Sequence, residues 1–444
     1  MRAITATNAQ APTKGPLVLA LLLISFVLPF YFEFLGLKLS GHRIILIVFA
    51  VPAIVGWLTG KAGKIRSVDW LVIGLSFWAC LTLAVNHDIA KIWQFIGMFM
   101  IETIVPYFIA RTYIRSFAAF RYFVKWLFIV ILVLLPFAAF ESLTGKTPLL
   151  DIFGNVFSVH QKWEFPPRLG LLRAQATMPH PILFGVFCAP AFALSWYVLG
   201  WGKPLSARVG LVSIVGGSVF CSLSSGAYLN VIIQMALMSW NAVFQFLRNK
   251  WKVLLMCFAA VYFVAEVGSG RNVFEIFATH FTLTPGTAWA RIHTFNFATD
   301  DIMRNPIFGI GLNDFSRPHW MQFLSSVDNF WLVITLRHGF PGLLLLLSAV
   351  ITIHIQLGRR QLTGALADAR LGYLFSLTGL CVSAVTVHLW DSTFCFLMFF
   401  LGAGAWLLDA DENQGAEVSN PRESGKRKTI RYTRFPKPVP GSEV

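Results

Sequence analysis

The chain has 444 residues, of which 56% are hydrophobic and 13% charged, and its mean hydropathy is +0.66. A soluble globular chain carries about 25% charged residues, so this composition argues against a soluble enzyme. The net charge of +15 would point to nucleic acid in a soluble protein, but here it collects in short loops and implies no nucleic-acid partner.

Apolar runs recur from Pro16 to Asp409. Each is close to the roughly 20 residues that cross a hydrocarbon core of about 30 Å. The expected fold is an all-α polytopic membrane protein of about 12 transmembrane helices, with a large external loop between helices nine and ten. Residues 1–16, with Arg2 and Lys14, read as a cytoplasmic N-terminus. The first apolar run is too long for a signal-peptide core, and no small-residue cleavage pattern follows it, so it reads as an uncleaved helix.

In order, the predicted spans are 17–37, 43–59, 69–85, 93–113, 121–141, 181–200, 208–224, 226–246, 252–268, 328–357, 371–388 and 392–409. The tenth is interrupted at Arg337-His338-Gly339-Phe340-Pro341. Proline lacks the helix donor and clashes with the preceding turn, so a kink or break is expected there. The tail 410–444, with Lys426-Arg427-Lys428, Arg431 and Arg434, reads as a disordered basic cytoplasmic extension that can touch anionic lipid headgroups.

Charge sets the orientation. With the N-terminus inside, the inner connections hold Arg2, Lys14, Lys61, Lys64, Arg66, Arg115, Arg121, Lys203, Arg208, Arg248, Lys250, Lys252, Arg359, Arg360 and Arg370, fifteen in all. The short outer ones hold three, Lys38, Arg43 and Lys91. This is the positive-inside pattern, and it places both termini in the cytoplasm. The six cysteines fall in or beside apolar segments without a C-x-x-C pair, and read as packing residues rather than a disulfide framework or metal site.

Two outer segments, 142–180 and 268–327, are too long to be plain connections. Their aromatics (Trp163, Phe165, Trp289, Phe308, Trp320) argue for order, and the active site is expected between them. The first carries Arg168-Leu169-Gly170-Leu171-Leu172-Arg173-Ala174, then His180-Pro181 entering a helix. Guanidinium matches phosphate oxygens bidentately, so two such arginines could clamp a phosphate-bearing headgroup. Ordinary interfacial arginines and a histidine at a helix entrance are the plainer reading. The second segment carries Arg291, Arg304-Asn305-Pro306-Ile307-Phe308-Gly309-Ile310-Gly311-Leu312-Asn313, His319 and Asp328-Asn329. The glycine run is no dinucleotide fingerprint, for it lacks both the spacing and a preceding strand. Asp328 opens the tenth helix, where it reads either as an N-cap or as a general base.

These residues resemble, in order and topology, the O-antigen ligase and Wzy-type polysaccharide polymerase superfamily. The resemblance rests on Arg-x-Gly-x-x-Arg-Ala followed by His-Pro-x-x-x-Gly, then Asn-Pro-x-x-Gly-x-Gly, then Gly339-x-Pro341-Gly342-Leu343. It extends to Phe140-Glu141-x-x-Thr144-Gly145 and Ser222-Leu223-Ser224-Ser225-Gly226, and covers the bundle from helix five to helix ten.

The resemblance implies a bacterial inner-membrane enzyme with its active site facing the periplasm. It implies glycosyl transfer from a polyprenyl-diphosphate-linked oligosaccharide, without metal, nucleotide sugar or other cofactor. Arg168 or Arg173 and Arg291 are then expected to hold the diphosphate. Asp328-Asn329 stand where the family has His-Asn, so Asp328 takes the base's place, with His319 as its rival. His180, His319, Asn329, Asn313 and Arg304 complete the expected substrate-binding set. A further departure is Arg337-His338, where an acidic residue often precedes the glycine.

Membrane lipids, a chain-length regulator and a flippase are the implied partners. A polymerase of exopolysaccharide or O-antigen is preferred over a ligase to lipid A core or protein, on the Phe-Glu-x-x-Thr-Gly and His-Pro-x-x-x-Gly elements. A secondary transporter or glycan flippase is the alternative of another class. Against it, the spans hold few charges and the polar segments gather in outer loops rather than at the midplane.

Overall fold

The computed structural model describes residues 16–34, 36–269, 275–276, 279, 285–321 and 326–410. The N-terminal segment, the basic tail and part of the second long segment lie outside them. The described chain is mostly helical, with one small sheet. Eight helices are long and apolar enough to cross a membrane, among them α2 (Gly41–Leu58), α3 (Ser67–Asn86), α4 (Ile89–Tyr113) and α5 (Phe117–Thr144). Leu17–Phe26, Leu205–Cys221 and Ser392–Leu408 are apolar but shorter.

The first predicted span, 17–37, is corrected. Helix α1 stops at Phe26, and Phe30–Phe34 (β1) pairs antiparallel with Leu37–Ser40 (β2). Pro29 disfavours helical backbone at Leu28 and removes a donor, and Gly36 (φ 75°) turns the chain back. A third strand, Ser158–Val159 (β3), joins β1 from the first long segment, after the short helix α6 (Pro148–Gly154).

Polar groups fasten one end of the bundle. Asp69 is fully buried and accepts from Arg111 Nε (2.8 Å), Tyr107 Oη (2.6 Å), Trp57 Nε1 (3.1 Å) and the Arg66 amide (2.9 Å). A buried ion pair is tolerated when further hydrogen bonds satisfy its remaining groups, and the Asp69 carboxylate is fully engaged here, while Arg111 Nη1 has no partner among the described residues. Of the six free cysteines, Cys188, Cys221 and Cys395 are buried packing residues, whereas Cys257 is exposed on Lys250–Ser269.

The sixth predicted span forms as α7 (Pro181–Cys188), α8 (Ala191–Leu194) and a π turn, Ser195–Leu199. Next come α9 (Leu205–Cys221), α10 (Ser225–Val243) and α11 (Lys250–Ser269). The second long segment holds a helix that its polar composition concealed, α12 (Pro285–Arg304). Helices α13 (Phe330–Arg359), α14 (Gly364–Ser383) and α15 (Ser392–Ala403) close the bundle.

The expected interruption in α13 is present, and its cause is visible. Gly339 takes φ 65°, ψ −177°, a region essentially reserved for glycine. The freed groups are recovered by the glycine run of the second long segment. Ile310 N donates to Leu336 O (2.8 Å), Gly311 N to Arg337 O (3.2 Å), and Phe340 N to Pro306 O (2.8 Å). A Cβ on Gly339 would overlap the Ile307 carbonyl, and one on Gly309 would overlap the Leu336 carbonyl. The Asn-Pro-x-x-Gly-x-Gly run is therefore a plug for a broken helix. Gly339→Ala is expected to destabilise the fold by about 1–3 kcal/mol or more. A thermal melt of detergent-solubilised protein reads this, and an unchanged midpoint would contradict the plug.

Candidate functional site, an arginine-lined cleft

Helix α5 ends where Gly145 takes φ 73°. Just before that stop, the buried Glu141 carboxylate accepts from the amides of Gln175 (2.9 Å) and Ala176 (2.8 Å). Ser142 holds Leu172 through its hydroxyl and its carbonyl (2.8 and 2.9 Å). These bonds bring the first long segment back over the bundle. Arg168 and Leu171 exchange backbone bonds across a two-residue turn in which Leu169 and Gly170 both have positive φ, the I′ geometry of tight hairpins.

The segment then leans on the break between α9 and α10. Ala174 N donates to Cys221 O (2.9 Å), Arg173 Nε to Ser222 O (3.4 Å) and Arg168 Nη1 to Leu223 O (2.9 Å). The other half of the His-Pro-x-x-x-Gly motif makes this approach possible. His180 caps α7 by accepting from Ile182 N (3.1 Å), and a Cβ on Gly185 would overlap the Ser222 side chain. Most of the sequence motifs thus build the walls of one cleft.

The cleft is a cavity of about 620 Å³, within the size range of ligand sites, and its lining includes Arg168, Arg173, Arg291, His180 and Asp328. Arg291 arrives on α12 and donates to Thr386 O (2.9 Å). Arg173 is 8% exposed, lies 4.7 Å from the Phe165 ring, and keeps a buried Nη2 that has no partner among the described residues. Trp163 and Phe165 stack on each other and flank His180.

The electrostatics of the cleft favour an anion. Burial, then the charge of Arg168, pulls Arg173 down to about 10, against the opposing charge of Asp328. Burial lowers Arg168 and Arg291 as well, and Asp328 partly offsets this at Arg291. Burial and then Arg173 lower His180 to about 4, so its ring is neutral near pH 7. Three cations facing one carboxylate leave an excess of positive charge that an anion would relieve.

The structure gathers the predicted residues selectively. Arg168, Arg173, Arg291, His180 and Asp328 meet in the cleft. Asp328 is not the cap of the tenth helix, because Asn329 fills that role by accepting from Leu332 N (3.1 Å). The helix starts two residues later than read, at Phe330, and Asp328 is left outside it. His319 and Asn313 are exposed and do not line the cleft. Arg304 pairs with Asp301 (3.1 Å) on α12 and is also outside it.

Sequence reading missed His388, Trp390, Ser224 and Ser225, all in the lining. The signal available for two of them was the polar His388-Leu389-Trp390-Asp391 run before the last helix. Burial, followed by the charge of Arg337, takes His388 down to about 3. Among the described residues the non-glycine residues of positive φ, Leu169, Ala176, Leu223 and Asp391, all belong to segments that form or adjoin this cleft, in keeping with backbone strain gathering at functional sites.

Among the described residues one group has metal-ligand chemistry. Donor atoms of His42, Glu102 and Cys395 lie within 4.8 Å of one another. Glu102, however, accepts from Arg43 Nε (2.7 Å), and His42 faces the Ser40 hydroxyl (3.0 Å) and Asp391 (3.6 Å). A guanidinium on the carboxylate opposes a dication there, and the group is better described as a buried ion-pair network. A scan against models of protein families and a search of curated proteins find no match to this chain.

Proposed function

We propose that this protein is a membrane glycosyltransferase of the O-antigen ligase and Wzy-type polymerase kind. It joins polyprenyl-diphosphate-linked oligosaccharide repeat units into an exopolysaccharide or O-antigen. The observation that carries this reading is the convergence of Arg168, Arg173 and Arg291 with Asp328 in one cavity. The order of sequence motifs around it supports the family. The fifteen-to-three loop bias supports twelve spans, cytoplasmic termini and a cleft that opens on the outer face of the inner membrane.

In this mechanism the arginines bind the donor diphosphate. An acceptor hydroxyl attacks the anomeric carbon and forms the new glycosidic C–O bond. The bond from that carbon to the diphosphate breaks, and its electron pair leaves on the diphosphate oxygen. Guanidinium groups neutralise the charge that develops there. The hydroxyl proton passes to Asp328. The chemistry needs neither a metal nor a nucleotide sugar, as the family resemblance implies. A ligase would differ only in the acceptor.

The test is reconstitution of the protein in nanodiscs with a synthetic polyprenyl-diphosphate-linked repeat unit. Products of two or more repeat units, together with free polyprenyl diphosphate, are expected by mass spectrometry. A flippase or transporter would leave the glycan–diphosphate bond intact, and that result would sink the proposal.

A further inference from the structure

A second cavity of about 170 Å³ lies beside the cleft. His388 and Trp390 line both, so the segment 384–391 is the partition between them. Much of the second wall is aromatic, with Phe95 and Phe99 from α4 and Phe330 from α13. Its charged groups are Arg43, Glu102, Asp391 and Arg337.

The first three close on one another. Arg43 Nε lies 2.7 Å from Glu102 Oε1, and its Nη2 lies 4.0 Å from Asp391. Arg337 is left over. Among the described residues its guanidinium has no ion-pair or hydrogen-bond partner, although it lines the cavity. Its neighbour His338 uses a ring nitrogen on the Thr82 hydroxyl (2.7 Å). The Arg337 backbone is fixed at the helix break, where its carbonyl accepts from Gly311. An arginine within a predicted span is costly without a counter-charge, and such residues characteristically mark ligand pathways.

We propose that the second cavity is an oxyanion subsite in which Arg337 binds a carboxylate or phosphate ester carried by a sugar of the glycan. The protein would thereby select acidic saccharides. Naming a sugar rests on the glycosyl-transfer reading. The cavity shares its wall with the donor cleft, its aromatic faces can pack against a pyranose ring, and a guanidinium grips a carboxylate bidentately. An anionic lipid headgroup offers the same oxyanion, and the experiment separates the two.

Wild-type protein in zwitterionic nanodiscs is titrated calorimetrically with methyl glucuronide, glucose 6-phosphate, methyl glucoside and geranyl diphosphate. The acidic sugars should bind and the neutral glucoside should not. Arg337→Gln should weaken acidic-sugar binding about tenfold or more, the size of a lost charge-assisted hydrogen bond. Arg337→Lys should rescue only in part, because it lacks the fork. Geranyl diphosphate should bind Arg337→Gln as it binds wild type, which also reports that the variant is folded. No acidic-sugar binding by wild type, or equal binding by wild type and Arg337→Gln, would overturn the subsite. An Arg337-dependent signal abolished by phosphatidylglycerol in the discs would assign the oxyanion to lipid and overturn the sugar. Failure of geranyl diphosphate to bind wild type would instead fault the transferase reading, and Arg337-dependent sugar binding would still stand.

Discussion

Arg173→Ala should reduce polymer formation about 10²- to 10³-fold, the range seen when one preorganised donor to a developing anion is removed. Arg173 is the strongest of the three cations for this test because of how it is held. Its Nε reaches the Ser222 carbonyl, its plane packs on Phe165, and its Nη2 is buried and without a partner among the described residues. That free N–H is already desolvated and oriented, so little reorganisation remains when an anion arrives. Arg168→Ala and Arg291→Ala should also fall; like Arg173, each gives one N–H to a carbonyl, Leu223 O and Thr386 O respectively. Arg173→Lys should recover little, since an ammonium lacks the planar fork that meets a phosphate. The measurement is polymer yield per unit of membrane-inserted protein. Full activity in all three alanine variants would refute the assignment.

Asp328→Asn should cost about 10² to 10⁴ in rate, the usual contribution of a general base, while donor binding is retained. The structure sharpens this experiment, because Asn329 carries the cap. Asp328→Asn therefore leaves the helix start intact, and a loss of rate cannot be blamed on fraying. Asn329→Ala supplies the complementary control. It should lower stability by about 1 kcal/mol with a smaller effect on turnover. His388 lines the same cavity and has a neutral ring near pH 7, so His388→Ala belongs in the series. An active Asp328→Asn enzyme beside a dead His388→Ala enzyme would move the base to His388.

The sequence carried much of the cleft because its arginines sit in motifs with fixed spacing. Arg168 and Arg173 flank a Leu-Gly turn, and His180 precedes a proline at a helix start. Both arrangements are local and leave a local signature. The break in α13 was legible for the same reason, through Gly339 and Pro341. The tertiary role of the glycine run was not, because what fills a broken helix depends on chain 30 residues away. His388 was missed because the residues lining the cleft with it come from α7, α10 and α12 among others, and no spacing rule connects them. Arg304, Asn313 and His319 were included for their nearness in sequence to the glycine run, and that run faces α13 rather than the cleft. Helix α12 was hidden by its composition, since a polar helix lacks the hydropathy that reveals a span.

The buried pair at the other end of the bundle bears on how the chain is made. Asp69 stands in the first turn of α3 and Arg111 in the last turn of α4, and only His87 and Asp88 separate the two helices. On insertion scales a lone arginine or aspartate costs about 2.5–3.5 kcal/mol at a helix centre. Each of these helices, with its charge near one end, would carry part of that cost if it left the translocon alone. Leaving together as a hairpin, they cancel the charge within the insertion step itself. The ribosome reaches Arg111 some forty residues after Asp69, so α3 gains by waiting beside the translocon until α4 has been synthesised. On that argument the ion pair would act as a timing device in biogenesis, before the rest of the bundle has been made.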